Sequence, residues 1–152
     1  MTDRSVAHGT FVVERTYPVS PSRVFAAWAD PGIKSQWFGE AGADNTPQIF
    51  EFKVGGREYS AGKGPGGEDF TFDVRYQDIV PDNRIIYTYD MTMGGKRISV
   101  SVAAVELRPE GSGTHMKLTE HGTFLDGLDT VAQREGGTNW LMDQLGEWLK
   151  RQ

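Results

Sequence analysis

Cysteine is absent from the 152-residue chain. That excludes disulfides, thiolate zinc sites, iron–sulfur clusters and thiol nucleophiles together, and it fits a reducing compartment. Positive charge is in deficit, with 16 Lys and Arg against 21 Asp and Glu and a formal charge of -5. The summed field repels phosphate backbones and anionic head groups, so no nucleic-acid partner is expected. No apolar run approaches the roughly 18 residues of a membrane span. Residues 1–10 are polar and charged where a secretory signal needs an apolar stretch, so the expected location is the cytoplasm. Glycine (19) and proline (7) stay below the level of a low-complexity segment.

What is abundant is aromatic: four Trp, five Tyr and eight Phe, enough to fill a core or line a pocket. The length suits one domain, expected over residues 10–152 behind a flexible terminus at 1–9. Alternation over Thr10–Val19 puts Phe11, Val13 and Tyr17 on one face of a first strand. Ser20-Pro21 then signals a helix with a hydroxyl N-cap, carrying Val24, Phe25 and Trp28 on one face and ending near Asp30-Pro31. A second short helix carries Ile33, Trp37 and Phe38.

Strands follow at Gln48–Val54, Arg57–Ala61, Asp69–Val80, Arg84–Met93, Lys96–Leu107 and Thr114–Gly122, separated by Gly-, Pro- and Asn-rich turns. An antiparallel meander is the expected arrangement. Parity puts Phe70, Phe72, Val74 and Tyr76 on one face, as it does Ile85, Tyr87, Tyr89 and Met91, and Ile98, Val100 and Val102. Because Val105 and Leu107 continue the last apolar face out of phase, a bulge is predicted at Ala103-Ala104. The final helix, Thr130–Arg151, opens on a Thr130-x-x-Gln133 capping box and presents Leu141, Met142, Leu145 and Trp148 to the strands. Gly136-Gly137 interrupts its first half at a propensity cost of about 2 kcal/mol, and a continuous helix is predicted nonetheless.

Gly62-x-Gly64-x-x-Gly67 matches a dinucleotide fingerprint in letters, but a strand follows it where pyrophosphate recognition needs a helix, so a hairpin loop is predicted. His115 and His121 lie roughly 20 Å apart along one strand, which leaves no candidate metal site. No Gly-x-Ser-x-Gly elbow is present, and neither a cofactor nor a catalytic residue is assigned. Parity turns Glu120 inward beside Leu118, where a carboxylate needs an ion-pair partner or a raised pKa. Arg57 is the candidate partner, with a depressed Glu120 pKa as the consequence. Tyr87 and Tyr89 beside Met91 put hydroxyls and a pliable thioether on one inner surface, the usual make-up of an apolar pocket with a few polar anchors.

Val19-Ser20-Pro21-Ser22-Arg23-Val24-Phe25-Ala26-Ala27-Trp28-Ala29-Asp30-Pro31 and Gln36-Trp37-Phe38-Gly39 resemble the amino-terminal signature of the family related to the activator of heat-shock protein 90 ATPase. Val54-Gly55-Gly56-Arg57, the stretch Val80–Tyr89 and the stretch Leu118–Gly127 are similar to its later landmarks, in the same order. The resemblance implies an α+β helix-grip fold, also called START-like or SRPBCC: a curved antiparallel sheet of six to seven strands wrapped around a long C-terminal helix, with two short helices after the first strand. It also implies a cavity between sheet and helix. Members of that superfamily bind lipids, sterols, hormones or polyketides, and a minority are cyclases or dehydratases.

Three readings follow. The first is binding of a small apolar or aromatic molecule, with Trp28, Phe72, Tyr87, Tyr89, Met91, Glu120, Phe124 and Trp140 around one cavity. The second is an interaction module with a chaperone or homo-oligomer contact. The third is a cyclase-like or dehydratase-like enzyme using Glu120 as acid or base.

Overall fold

The structure is a computed structural model that describes residues 4–39, 44–64 and 66–152. Strand β1 (Val6–Tyr17) leads into helices α1 (Pro21–Ala29) and α2 (Pro31–Trp37). Then come β2 (Ile49–Phe50), β3 (Arg57–Lys63), β4 (Asp69–Val80), β5 (Arg84–Met93), β6 (Lys96–Glu110) and β7 (Gly113–Leu125), followed by the long helix α3 (Val131–Lys150). All strands pair antiparallel in one curved seven-stranded sheet of order β1-β7-β6-β5-β4-β3-β2, a helix-grip arrangement around α3. Among the described residues no helix is long and apolar enough to cross a membrane.

The limits of β4 and β5 coincide with those expected, because Gly-rich and Asp-Asn turns bound them. Gly62, Gly64 and Gly67 belong to the β3–β4 hairpin, in which Lys63 faces Asp69. The expected strand over Gln48–Val54 shrinks to two residues. The expectation of a loose segment up to residue 9 is corrected: β1 begins at Val6, and Val6 to Gly9 pair with Leu125 to Gly122. A Cβ at Gly9 would lie 2.5 Å from the Val131 side chain, so glycine lets this end of β1 run close beneath the start of α3.

Strand β6 also corrects an expectation. No bulge lies at Ala103-Ala104, where pairing with both neighbours is regular. The slip is at Ile98: Met91 faces Ser99 and Thr92 faces Arg97. Ile98 and Ser99 are consecutively buried, and from there Ser99, Ser101, Ala103, Val105 and Leu107 face inward while Val100 is 46% exposed. Side-chain size misleads here. The interior at this end already holds Tyr89, Glu120 and Arg134, leaving room for a hydroxyl rather than a valine, and the Ser99 hydroxyl accepts from Arg134 at 2.7 Å.

The short helices are tied in by polar contacts. The Trp37 indole donates to the Ala27 carbonyl at 3.0 Å, the Asp30 carboxylate caps α2 at the Ile33 amide, and Trp148 donates to Gln36 at 2.9 Å. The expected Ser20 hydroxyl cap makes no bond to the backbone of α1; its oxygen meets Ser22 instead. Helix α3 is continuous through Gly136-Gly137, with Thr130 accepting from the Gln133 amide at 3.1 Å. Its Met142, Leu145 and Leu149 are buried in the core with Phe11, Val13, Met116 and Leu118, and the Tyr17 hydroxyl fixes β1 to α3 by donating to the Met142 carbonyl.

Candidate functional site

A cavity of about 810 Å³ lies between the sheet, α2 and α3. Its apolar wall comes from Phe38, Phe70, Phe72, Met91, Met93 and Leu141. Period-two alternation on β4 and β5 turns Phe70 and Phe72, and Tyr87, Tyr89 and Met91, to the same interior. The volume falls in the range of about 300–1,000 Å³ usual for small-molecule sites.

Two buried polar clusters are set into this wall. In the first, Lys34 of α2 donates to Glu58 of β3 at 2.8 Å, and the Tyr76 hydroxyl donates to the same carboxylate oxygen at 2.5 Å. In the second, the Tyr89 hydroxyl donates to Glu120 at 2.7 Å and accepts from Arg134 at 2.8 Å, while Arg134 also reaches Asp129 at 2.7 Å. The Arg134 guanidinium lies 3.7 Å from Glu120. Burial raises the Glu120 pKa despite the Tyr89 hydrogen bond and the Arg134 charge, which pull it down. The expected depression is therefore corrected: desolvation outweighs the pairing. Burial also pushes the Tyr76, Tyr87 and Tyr89 phenols well up, so they stay protonated, and those of Tyr76 and Tyr89 act as donors.

Of the eight residues singled out in the sequence, Trp28, Phe72, Tyr87, Tyr89, Met91, Glu120 and Trp140 line this one cavity. Trp140 does so from the rim, 47% exposed, because it lies on the edge of α3 rather than on its buried stripe. Phe124 is the exception. It is 1% exposed but does not line the cavity; its ring packs against Gly122 and against the Arg134 guanidinium, 5.5 Å from its centre, so Arg134 occupies the space it was expected to face. Arg57 is not the partner of Glu120. It forms a two-pronged pair with Asp73 at 2.9 Å, on the opposite face of β3 from Glu58.

Lys34, Glu58, Ser99 and Arg134 were not found from the sequence. Arg134 had a signal: with Thr138, Met142, Leu145 and Leu149 it continues the buried stripe of α3 at helical spacing. Glu58 was hidden by the Gly55-Gly56 turn, across which strand parity cannot be carried.

Residues 18–150 match the family model described as Activator of Hsp90 ATPase homolog 1-like protein. The chain belongs to this family. Among solved structures, Mll3558 protein from Rhizobium loti is 44% identical, with a TM-score of 0.86 over 95% of this chain and 99% of that one. A protein from Rhizobium leguminosarum is 38% identical, with a TM-score of 0.91 over 99% and 100%. Protein CV1439 from Chromobacterium violaceum, 20% identical with a TM-score of 0.78 over 93% and 96%, shares the fold. None of the curated proteins matches the chain. Family membership supports a ligand-binding or chaperone-activator type of domain.

Proposed function

We propose that this member of the Activator of Hsp90 ATPase homolog 1-like family binds a small apolar or aromatic molecule between its curved sheet and α3. One observation carries the reading: an aromatic and thioether wall and two buried polar clusters line one concave volume of about 810 Å³. A core evolved only for stability would be filled, since protein interiors pack to crystal-like density and voids are costly. Trp28, Phe72, Tyr87, Tyr89, Met91 and Trp140 are the proposed contacts, with Glu120 holding Tyr89 in place. Phe124 supports Arg134 from behind.

The interaction-module reading ranks second, because the outer sheet face is interrupted by polar residues. The exposed Val12 of β1 has Thr119 as its cross-strand neighbour, and the exposed Val100 of β6 has Thr123. Native mass spectrometry of freshly purified protein tests the first reading. The expected result is a non-covalent adduct that is lost on denaturation. A bare protein mass, together with no thermal shift from any member of a panel of apolar aromatics, sinks it and moves the interaction module ahead.

A further inference from the structure

The wall of the cavity constrains the charge and the polar chemistry of its guest. Every buried cation facing it already has a carboxylate: Lys34 lies 2.8 Å from Glu58, and Arg134 lies 2.7 Å from Asp129 and 3.7 Å from Glu120. An anionic guest would have to displace one of these carboxylates to gain a counter-ion, and removing one partner of a buried pair strands the other. A cationic guest would meet carboxylates already engaged, and would stand close to Lys34 or Arg134 at low effective dielectric. The aromatic and thioether stretch of the wall, from Phe70 and Phe72 to Met91 and Met93, offers no solvation to either charge.

Of the three inward-facing tyrosines on β4 and β5, one has an uncommitted hydroxyl, whereas the unpartnered Trp28 indole N–H of the same wall can only donate. Tyr76 and Tyr89 spend their hydroxyls on Glu58 and Glu120. Tyr87 stands between them on β5 at 6% exposure, lines the cavity, and makes no hydrogen bond through its hydroxyl among the described residues. Its ring sits 6.2 Å from that of Tyr76 and 5.9 Å from that of Tyr89, so the free hydroxyl belongs to the stretch of wall between the two ion-pair clusters. A phenol can both donate and accept, and one buried without a partner is costly unless water or a guest meets it.

We infer that the guest is an uncharged aromatic molecule carrying one hydroxyl or carbonyl oxygen, and that this oxygen is held by the Tyr87 hydroxyl. The inference rests on the binding reading given above and narrows it to a chemical class. Phe72, packed 5.0 Å from Tyr89, and the flexible Met91 then flank a flat ring system whose oxygen reaches the β5 wall.

Calorimetric titration at neutral pH with four probes of one ring size tests this on the unmodified protein: 2-naphthol, naphthalene, 2-naphthoate as the anion and 1-naphthylmethylammonium as the cation. The expected order is 2-naphthol tightest, naphthalene about threefold to tenfold weaker by the usual net value of one hydrogen bond, and both ions weaker than naphthalene. Tyr87→Phe is expected to abolish the advantage of 2-naphthol over naphthalene, with naphthalene binding retained as the sign that the pocket is intact. Either ion binding as tightly as 2-naphthol overturns the inference while leaving the binding reading standing. So does an unchanged 2-naphthol to naphthalene ratio in Tyr87→Phe. If none of the four binds, the inference and the reading beneath it fall together.

Discussion

The Lys34 ammonium lies 2.8 Å from the Glu58 carboxylate, with the two side chains 7% and 3% exposed. This pair joins α2 to β3 across the cavity wall, and the Tyr76 hydroxyl completes the carboxylate's bonding. Lys34→Met is expected to cost about 3–5 kcal/mol, because it leaves Glu58 charged and unpaired. Adding Glu58→Gln should recover a large part of the loss. Urea denaturation of the two variants checks this; equal stability of Lys34→Met and wild type would show that the pair is incidental.

Glu120 predicts a pH dependence with a definite sign. Its pKa is raised in the folded protein above the ordinary 4.5, so the folded state binds the proton more tightly than the unfolded chain does. The group's contribution to stability therefore falls as pH rises from 4.5 through the folded value and is constant above that. Glu120→Gln removes this term. The stability of Glu120→Gln relative to wild type is expected to improve between pH 4.5 and neutrality, and paired urea melts at the two pH values would show it. A difference independent of pH would contradict the raised pKa.

Leu145 is fully buried where α3 meets the sheet. Leu145→Ala is expected to cost about 2–5 kcal/mol as a large-to-small core substitution. A loss below about 0.5 kcal/mol in denaturant melts, typical of a surface site, would mean that this face of α3 is not the core face.

Gly136 and Gly137 give a matched pair. A Cβ at either would meet nothing within 4 Å, so each alanine substitution is expected to stabilise α3 by about 1 kcal/mol through propensity alone. Only Gly137 lines the cavity. Gly137→Leu should therefore weaken 2-naphthol binding while Gly136→Leu leaves it unchanged, and equal effects in the same titration would remove Gly137 from the cavity mouth.

Most of the fold was legible because its turns carry their own chemistry. Asp82 at φ 62 and Gly94-Gly95 at φ 59 and 79 sit where the sequence placed the ends of β4, β5 and β6. The inner faces of β4 and β5 were legible because polar and apolar residues alternate from Asp69 to Gln77 and from Tyr87 to Met93. Strand β6 was not: it carries apolar residues on both faces, and its inner positions beside the polar cluster are serines. The apolar part of the cavity followed from parity. The ion pairs did not, since Lys34–Glu58 and Arg134–Glu120 each join two elements whose relative placement no local pattern encodes.

The order of strands has a consequence for synthesis. Strands β2 to β6 each pair with the next one along the chain, but β1 pairs with β7, so Thr10 meets His121 only after 111 further residues have been made. On the ribosome the meander finds its partners as it emerges, whereas Phe11, Val13 and Tyr17 wait in water for the strand and helix that cover them. A nascent chain halted before β7 therefore displays the inner face of β1, and limited proteolysis of such stalled chains should cut there, at sites the finished protein protects.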